Sequence, residues 1–263
     1  MGQHGLRMNR FLSGMIYVVM VLLSNATLAS NTTSPTSHLV DTLALVKLEA
    51  NEGDRQMQLF LGQAYLYGES GIEKDPLRAF HWLKMAAEND VSVQLILGKL
   101  FHRGEGLPKD LDAAFYWYKK AATSGDMAAM EAVATFYATG IVRSDSRCEN
   151  AIDWFQAAAG QGSLDSRRNL VWLYATCPDE SQRDGDRALK IAKQLMARLP
   201  EVEATDFDNL AAAYAACGEF DKAIYTQQKA LNSLAEEEND PSRLVSFQQR
   251  LERYKQHQMW IDE

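Results

Sequence analysis

The sequence predicts an all-α protein, an α-solenoid of stacked antiparallel helical hairpins. Three observations predict it. First, "LGQAYLYG" (Leu61–Gly68) recurs as "LGKLFHRG" (Leu97–Gly104) and "VATFYATG" (Val133–Gly140), each time 36 residues on. Second, another segment recurs in step: "KDPLRAFHWLKMAA", "KDLDAAFYWYKKAA" and, from Cys148, "CENAIDWFQAAA". Third, apolar residues in both segments fall three and four apart, the spacing of one helix face. Two such segments per unit make a hairpin, and a hairpin hides its apolar face only against its neighbours.

The first 29 residues have the order of a secretory signal peptide: basic Arg7 and Arg10, an apolar run Phe11–Leu23, then small residues. Cleavage after Ala26 (Ser24 at −3) and after Ala29 (Thr27 at −3) both satisfy the small-residue rule. The apolar run is shorter than the roughly 20 residues that span a bilayer. An uncleaved signal holding the chain at the inner membrane is the alternative. Residues 30–38 are polar and read as a flexible leader. Residues 39–53 read as an N-terminal capping helix.

Residues 54–162 carry the three repeats, and each recurring residue has a mechanical task. Gly62, Gly98 and Ala134 are small where helices approach, while Tyr65, Phe101 and Tyr137 fill the same face. Gly68, Gly104 and Gly140 follow the last periodic residue, where a left-handed cap favours glycine. Asp75 and Asp110 stand at N-cap positions, and Ser146 with Glu149 has the pattern of a capping box. Trp82, Trp117 and Trp154 are expected to fill the gaps between hairpins, and Ala86, Ala121 and Ala158 to let the next helix come close. Gly125 is expected to end its helix at positive φ, with Asn89 doing so one repeat earlier.

This set of positions resembles the Sel-one-like repeat (SLR), a branch of the tetratricopeptide superfamily. The loop "GESGIEKD" is one residue longer than "GEGLPKD", and "GIVRSDSRCENA" lacks the Lys-Asp pair; both departures fall between helices. Residues 163–240 resemble two repeats of the parent tetratricopeptide (TPR) type, through Tyr174, Asp184 and Ala188, then Phe207, Leu210, Tyr214, Gly218, Ala223 and Ala230. Gln227 stands where that family has an aromatic, so weaker packing is expected there. Pro241 opens a C-terminal capping helix and tail, residues 241–263, with Leu244, Phe247, Leu251 and Tyr254 on one face. The resemblance implies an SLR/TPR-like superhelix serving as scaffold, assembly factor or sensor-regulator, in a Gram-negative periplasm.

A formal net charge of −8 and the lack of any basic run argue against a nucleic-acid partner. No G-x-S-x-G, H-E-x-x-H, C-x-x-C or phosphate-loop motif occurs. The histidines are too scattered for a paired metal motif, so no catalytic residue, metal or cofactor is expected. The resemblance carries a runner-up reading, a hydrolase of β-lactam or cell-wall material. The Ser-x-x-Lys signature of its serine-nucleophile form is missing.

Export implies an oxidising compartment. Cys177 and Cys217 occupy matching positions, where adjacent helices sit roughly 8–10 Å apart, too far for a disulfide. Cys148 opens the second helix of one unit and Cys177 ends the first helix of the next, so Cys148–Cys177 is the favoured pair. Three separate thiols is the other reading.

In a stacked array the first helices line the inner, concave side. Positions around each packing leucine, and one after each aromatic, then face a groove: Gln63 and Leu66, Lys99 and His102, Glu131 and Thr135, Arg168 and Trp172, and Asp208. Trp172 beside Arg168 has the chemistry of an interface hot spot; the competing reading packs Trp172 between units. "MWI", Met259–Ile261, is a second apolar candidate that either tucks into the array or docks elsewhere. Together these features predict a non-enzymatic, monomeric, exported scaffold that grips a protein or peptide, with no membrane insertion once the signal is cleaved.

Overall fold

The structure is a computed structural model that describes residues 35–237 and 241–262. The expected signal peptide, residues 1–29, lies outside the described residues. Twelve α-helices, one 3-10 turn and no strand occur among the described residues, so the protein is all-α and built of helical hairpins. The chain forms two compact units, one ending at Asp110 and one starting at Leu111.

The first unit holds α1 (Pro35–Asn51), α2 (Arg55–Tyr67), α3 (Pro76–Ala86) and α4 (Val91–Arg103), each packed on the next. Helix α1 starts at Pro35, within the stretch expected to be a leader, rather than at residue 39. A proline suits a first helical turn because that position leaves its N–H unbonded anyway. Asp54, Asp75 and Asp90 cap α2, α3 and α4 by accepting backbone N–H groups. Asn89, expected at positive φ, is not among the residues there; α3 closes through Ala87 in right-handed geometry instead.

The recurring loop has a recurring fastening. The Asp75 N–H donates to the Tyr65 carbonyl at 2.8 Å, and the Asp110 N–H to the Phe101 carbonyl at 3.0 Å. The longer first loop keeps this bond by placing Ser70 at φ +58° and Gly71 at φ +76°, where the shorter loop needs only Gly106 at φ +79°. A second recurring fastening was not foreseen. Buried Gln58 donates to the Ala50 carbonyl at 2.9 Å, and buried Gln94, 36 residues on, donates to the Ala87 carbonyl at 2.7 Å. Each glutamine satisfies the end of the preceding helix, whose last carbonyls have no helical partner.

Gly62 allows the close approach of α2 and α3. A Cβ there would lie 2.6 Å from Leu83 Cγ, and Leu83 is fully buried. Gly62→Ala gains up to about 1 kcal/mol of helix propensity but overpacks the core at about 1–3 kcal/mol, so a net loss of about 1 kcal/mol is expected. A urea midpoint equal to or above that of the parent would refute this account of the glycine.

The second unit holds α5 (Leu111–Thr123), α6 (Met127–Ala138), α7 (Arg147–Gly160), α8 (Leu164–Thr176), a 3-10 turn (Glu180–Gln182), α9 (Gly185–Met196), α10 (Ala204–Ala216), α11 (Phe220–Glu237) and α12 (Pro241–Lys255). Successive helices pack as antiparallel hairpins, and α8 also packs on α10, two helices further along. Trp117 is buried here, as Trp82 is in the first unit, while Trp154 is half-buried. Phe115, Tyr118, Phe136 and Tyr137 make an aromatic cluster with ring centroids 5.5–5.9 Å apart. Such rings contribute beyond their buried area through edge and offset contacts.

Two local expectations fail in this unit. Ser146 makes no side-chain cap bond at the start of α7; its carbonyl instead accepts from the Asn150 amide at 2.9 Å. Leu244, expected on the buried face of α12, is exposed, while Phe247, Leu251 and Tyr254 are buried. The Cys148–Cys177 pair is bonded, with Cα atoms 6.4 Å apart. Cys217 is a free, half-buried thiol, and burial together with the nearby Asp186 carboxylate raises its pKa. The protonated thiol is a poor nucleophile.

Candidate binding cleft of the second unit

Of the groove candidates, Gln63, Lys99 and His102 belong to the first unit. Gln63 and His102 are half-buried and Lys99 is exposed. Leu66, placed in the groove by its spacing, is instead fully buried. The loop after α4 covers it: a Cβ on Gly106 would lie 2.6 Å from Leu66 Cδ1.

The other five candidates belong to the second unit. On α6, Glu131 is half-buried and accepts from the Ser163 hydroxyl and, at 3.3 Å, from the Ser166 hydroxyl. Thr135 is exposed but donates its hydroxyl to the Glu131 carbonyl at 2.8 Å, within its own helix. Glu131 thus ties one repeat to the next, while the Thr135 hydroxyl is engaged within its own helix.

On α8, Arg168 grips Asp206 with two bonds, Nε to Oδ1 at 2.7 Å and a terminal nitrogen to Oδ2 at 3.2 Å. Its other terminal nitrogen reaches Asp165 at 3.1 Å. Those carboxylates raise its pKa, so it is always charged. Asp206 is itself held by α10, where its Oδ2 accepts the Glu203 N–H at 3.1 Å.

Asp208 lies deeper than the groove reading placed it, at the floor of a cleft rather than open to solvent. It is 3% exposed, on the side of α10 that faces α11 and α12. Its Oδ1 accepts from Arg250 Nε at 2.8 Å and from Gln227 Nε2 at 2.7 Å. At Gln227 hydrogen bonds from Nε2 stand in place of aromatic packing, and the side-chain Oε1 is buried without a partner among the described residues. Gln227 is fully buried and also donates to the Phe247 carbonyl at 3.2 Å. Polar groups removed from water survive when bonded to one another. Burial still outweighs the Arg250 attraction and raises the Asp208 pKa.

Trp172 meets neither expectation in full. It is half-buried, and what covers it is the segment after α12. The Trp172 indole N–H donates to Asp262 Oδ2 at 2.9 Å, and the Asp262 N–H donates to the Thr176 carbonyl at 2.8 Å. The Arg250 guanidinium stands 5.1 Å from the Trp172 ring centre and 5.7 Å from that of Trp260. Met259 and Trp260 pack on Ala211, Ala215, Ala223 and Tyr254, so "MWI" tucks into this unit.

Beside this segment lies an open cleft of about 420 Å³ between α8, α10 and α12. Arg168, Trp172, Asn209, Arg243, Phe247 and Arg250 line it, with Asp208 at its floor. Arg243 donates to the Thr205 hydroxyl at 2.7 Å. Aromatic faces beside fixed guanidinium groups suit recognition of a polypeptide. Sequence reasoning missed Arg243, Arg250 and Asn209. Arg250 was detectable, because Phe247, Arg250, Leu251 and Tyr254 share one helix face, and a charge on a buried face needs a buried partner.

A model of the Sel1 repeat matches residues 56–91, 92–126 and 128–163. The chain carries three Sel1 repeats. Its repeats are similar to parts of two fungal proteins. One is named "Chitin synthase regulatory factor 3", from Schizosaccharomyces pombe, 35% identical over 130 residues, which is 48% of this chain and 14% of that protein. The other is named "Chitin synthase regulator SKT5", from Saccharomyces cerevisiae, 36% identical over 83 residues, 31% of this chain and 12% of that protein. The chain thus spans only a small fraction of these relatives. A solved Sel1 repeat protein from Oxalobacter formigenes superposes with a TM-score of 0.57 at 20% identity, over 84% of this chain and 68% of that one, which shows the shared fold. Sel1-repeat proteins are protein-interaction scaffolds, and both fungal relatives bear regulators' names.

Proposed function

We propose that this protein is an exported repeat scaffold that binds a protein or peptide partner and acts as a regulatory or assembly adaptor in a bacterial envelope. The cleft between α8, α10 and α12 carries the reading: an aromatic and arginine-lined surface, held rigid by buried ion pairs, adjoining a stretch of its own chain bound in the same unit. The fungal relatives are named for regulating another protein, which fits an adaptor. Export is supported by the signal-like N-terminus and by a disulfide, which persists in an oxidising compartment such as the periplasm. The scaffold works as a monomer by equilibrium binding, without making or breaking a bond.

A photo-crosslinking residue at exposed Asn169, which lines the cleft, should give discrete adducts in envelope extracts, whereas one at exposed Gln228 on α11 should not. Equal labelling at both positions, or none at either, sinks the reading. N-terminal sequencing of the same preparation should find a chain starting at Thr27 or Ser30; one that still starts at Met1 would exclude cleavage.

A further inference from the structure

The segment after α12 is bound as a ligand would be. The chain turns at His257, a non-glycine residue at φ +56°, whose ring stacks on Phe220 with centroids 5.2 Å apart. It then runs back along the unit. Trp260 packs against the cluster of Ala211, Ala215, Ala223 and Tyr254. Two residues on, Asp262 is held at both ends, its N–H by the Thr176 carbonyl and its carboxylate by the Trp172 indole. Arg250 stands between the two tryptophan rings, fixed from below by Asp208.

The fit is incomplete. The Trp260 indole N–H is buried without a partner, and a buried donor left unpaired weakens whatever places it there. The cleft beside Trp172 and Arg250 remains open, so a longer segment entering there would keep these contacts and add to them.

We propose that this face recognises an extended polypeptide segment carrying an aromatic residue and, two positions later, a carboxylate, and that Met259–Asp262 is an internal occupant which the partner's segment displaces. This rests on the binding reading above and names the chemistry of the partner. The aromatic ring packs on the cluster of Ala211, Ala215, Ala223 and Tyr254, beside the Arg250 guanidinium. The carboxylate takes the Trp172 N–H, and the backbone takes the Thr176 carbonyl. Internal occupancy lowers the apparent affinity for the partner by the fraction of time the face is closed.

The test uses the full chain and a labelled peptide, "QHQMWID", the sequence of residues 256–262. Asp262→Ala frees the internal segment at its carboxylate. By fluorescence anisotropy the peptide should bind this variant about tenfold or more tightly than the parent chain. Adding Trp172→Phe, which keeps an aromatic ring and removes the N–H, should abolish that gain, as should a peptide with its aspartate changed to alanine. Circular dichroism confirms that each variant is folded. Equal peptide binding to parent and Asp262→Ala overturns the proposal, as does binding indifferent to Trp172→Phe. Light scattering that shows Asp262→Ala pairing with a second copy, without taking up peptide, also overturns it. Cleft-specific crosslinks at position 169 would survive any of these results, so the failure of this proposal and of the adaptor reading are told apart.

Discussion

Replacing Cys148 and Cys177 together by alanine is expected to lower the free energy of unfolding by about 3–4 kcal/mol. The bond joins residues 29 apart in sequence. Cutting it returns loop-closure freedom to the unfolded chain, the main origin of disulfide stabilisation in the chain-entropy view. Both cysteines are buried, so the bond also clamps the first turn of α7 to the exit of α8. Helix α8 carries Arg168, Trp172 and Thr176, so loosening its exit should weaken the seat of the Asp262 segment too. Urea denaturation of the double variant measures the loss, and replacing both residues avoids a lone reactive thiol. A midpoint unchanged from the oxidised parent would show that the bond contributes nothing to stability.

Arg250→Met is expected to be comparably severe, about 3–5 kcal/mol, because it strands the buried Asp208 carboxylate without its cation. The pH dependence identifies the cause. Burial already raises the Asp208 pKa in the parent, so the folded state holds this proton more firmly than the unfolded chain does. The group's contribution is greatest below the ordinary carboxylate range and is lost as pH rises through the raised value. Removing Arg250 takes away an attraction that lowers this pKa, so the variant leans harder on protonation. Its deficit should therefore shrink as pH falls from about 7 towards about 5. Asp208→Asn combined with Arg250→Met should recover most of the loss, since no buried charge remains. A deficit independent of pH, left unrepaired by the double change, would assign the effect to lost packing of Arg250 against Trp172 and Phe247.

The repeat was legible because its signals are local. Tyr65, Gly68 and Asp75 each serve within one hairpin, and so recur with it. The Gln58 and Gln94 fastenings have the same period, but glutamine is common on helix surfaces, and its burial is set by the neighbouring hairpin. Asn89 and Ser146 misled because residue type permits a cap geometry without requiring it. The groove residues were placed by helix phase alone. Phase puts Leu66 and Asp208 on the inner side, but the loop at Gly106 covers Leu66, while Arg250 and Gln227 hold Asp208 at the buried floor of the cleft.

From the sequence alone came the helical hairpins, their period and the favoured cysteine pair, because each follows from spacing along a single chain. Only the tertiary structure decided which inner-face residues meet solvent, and that Trp172 is held by Asp262 from 90 residues away. Periodicity fixes which face of a helix is apolar; it carries no information about which distant segment comes to lie on it.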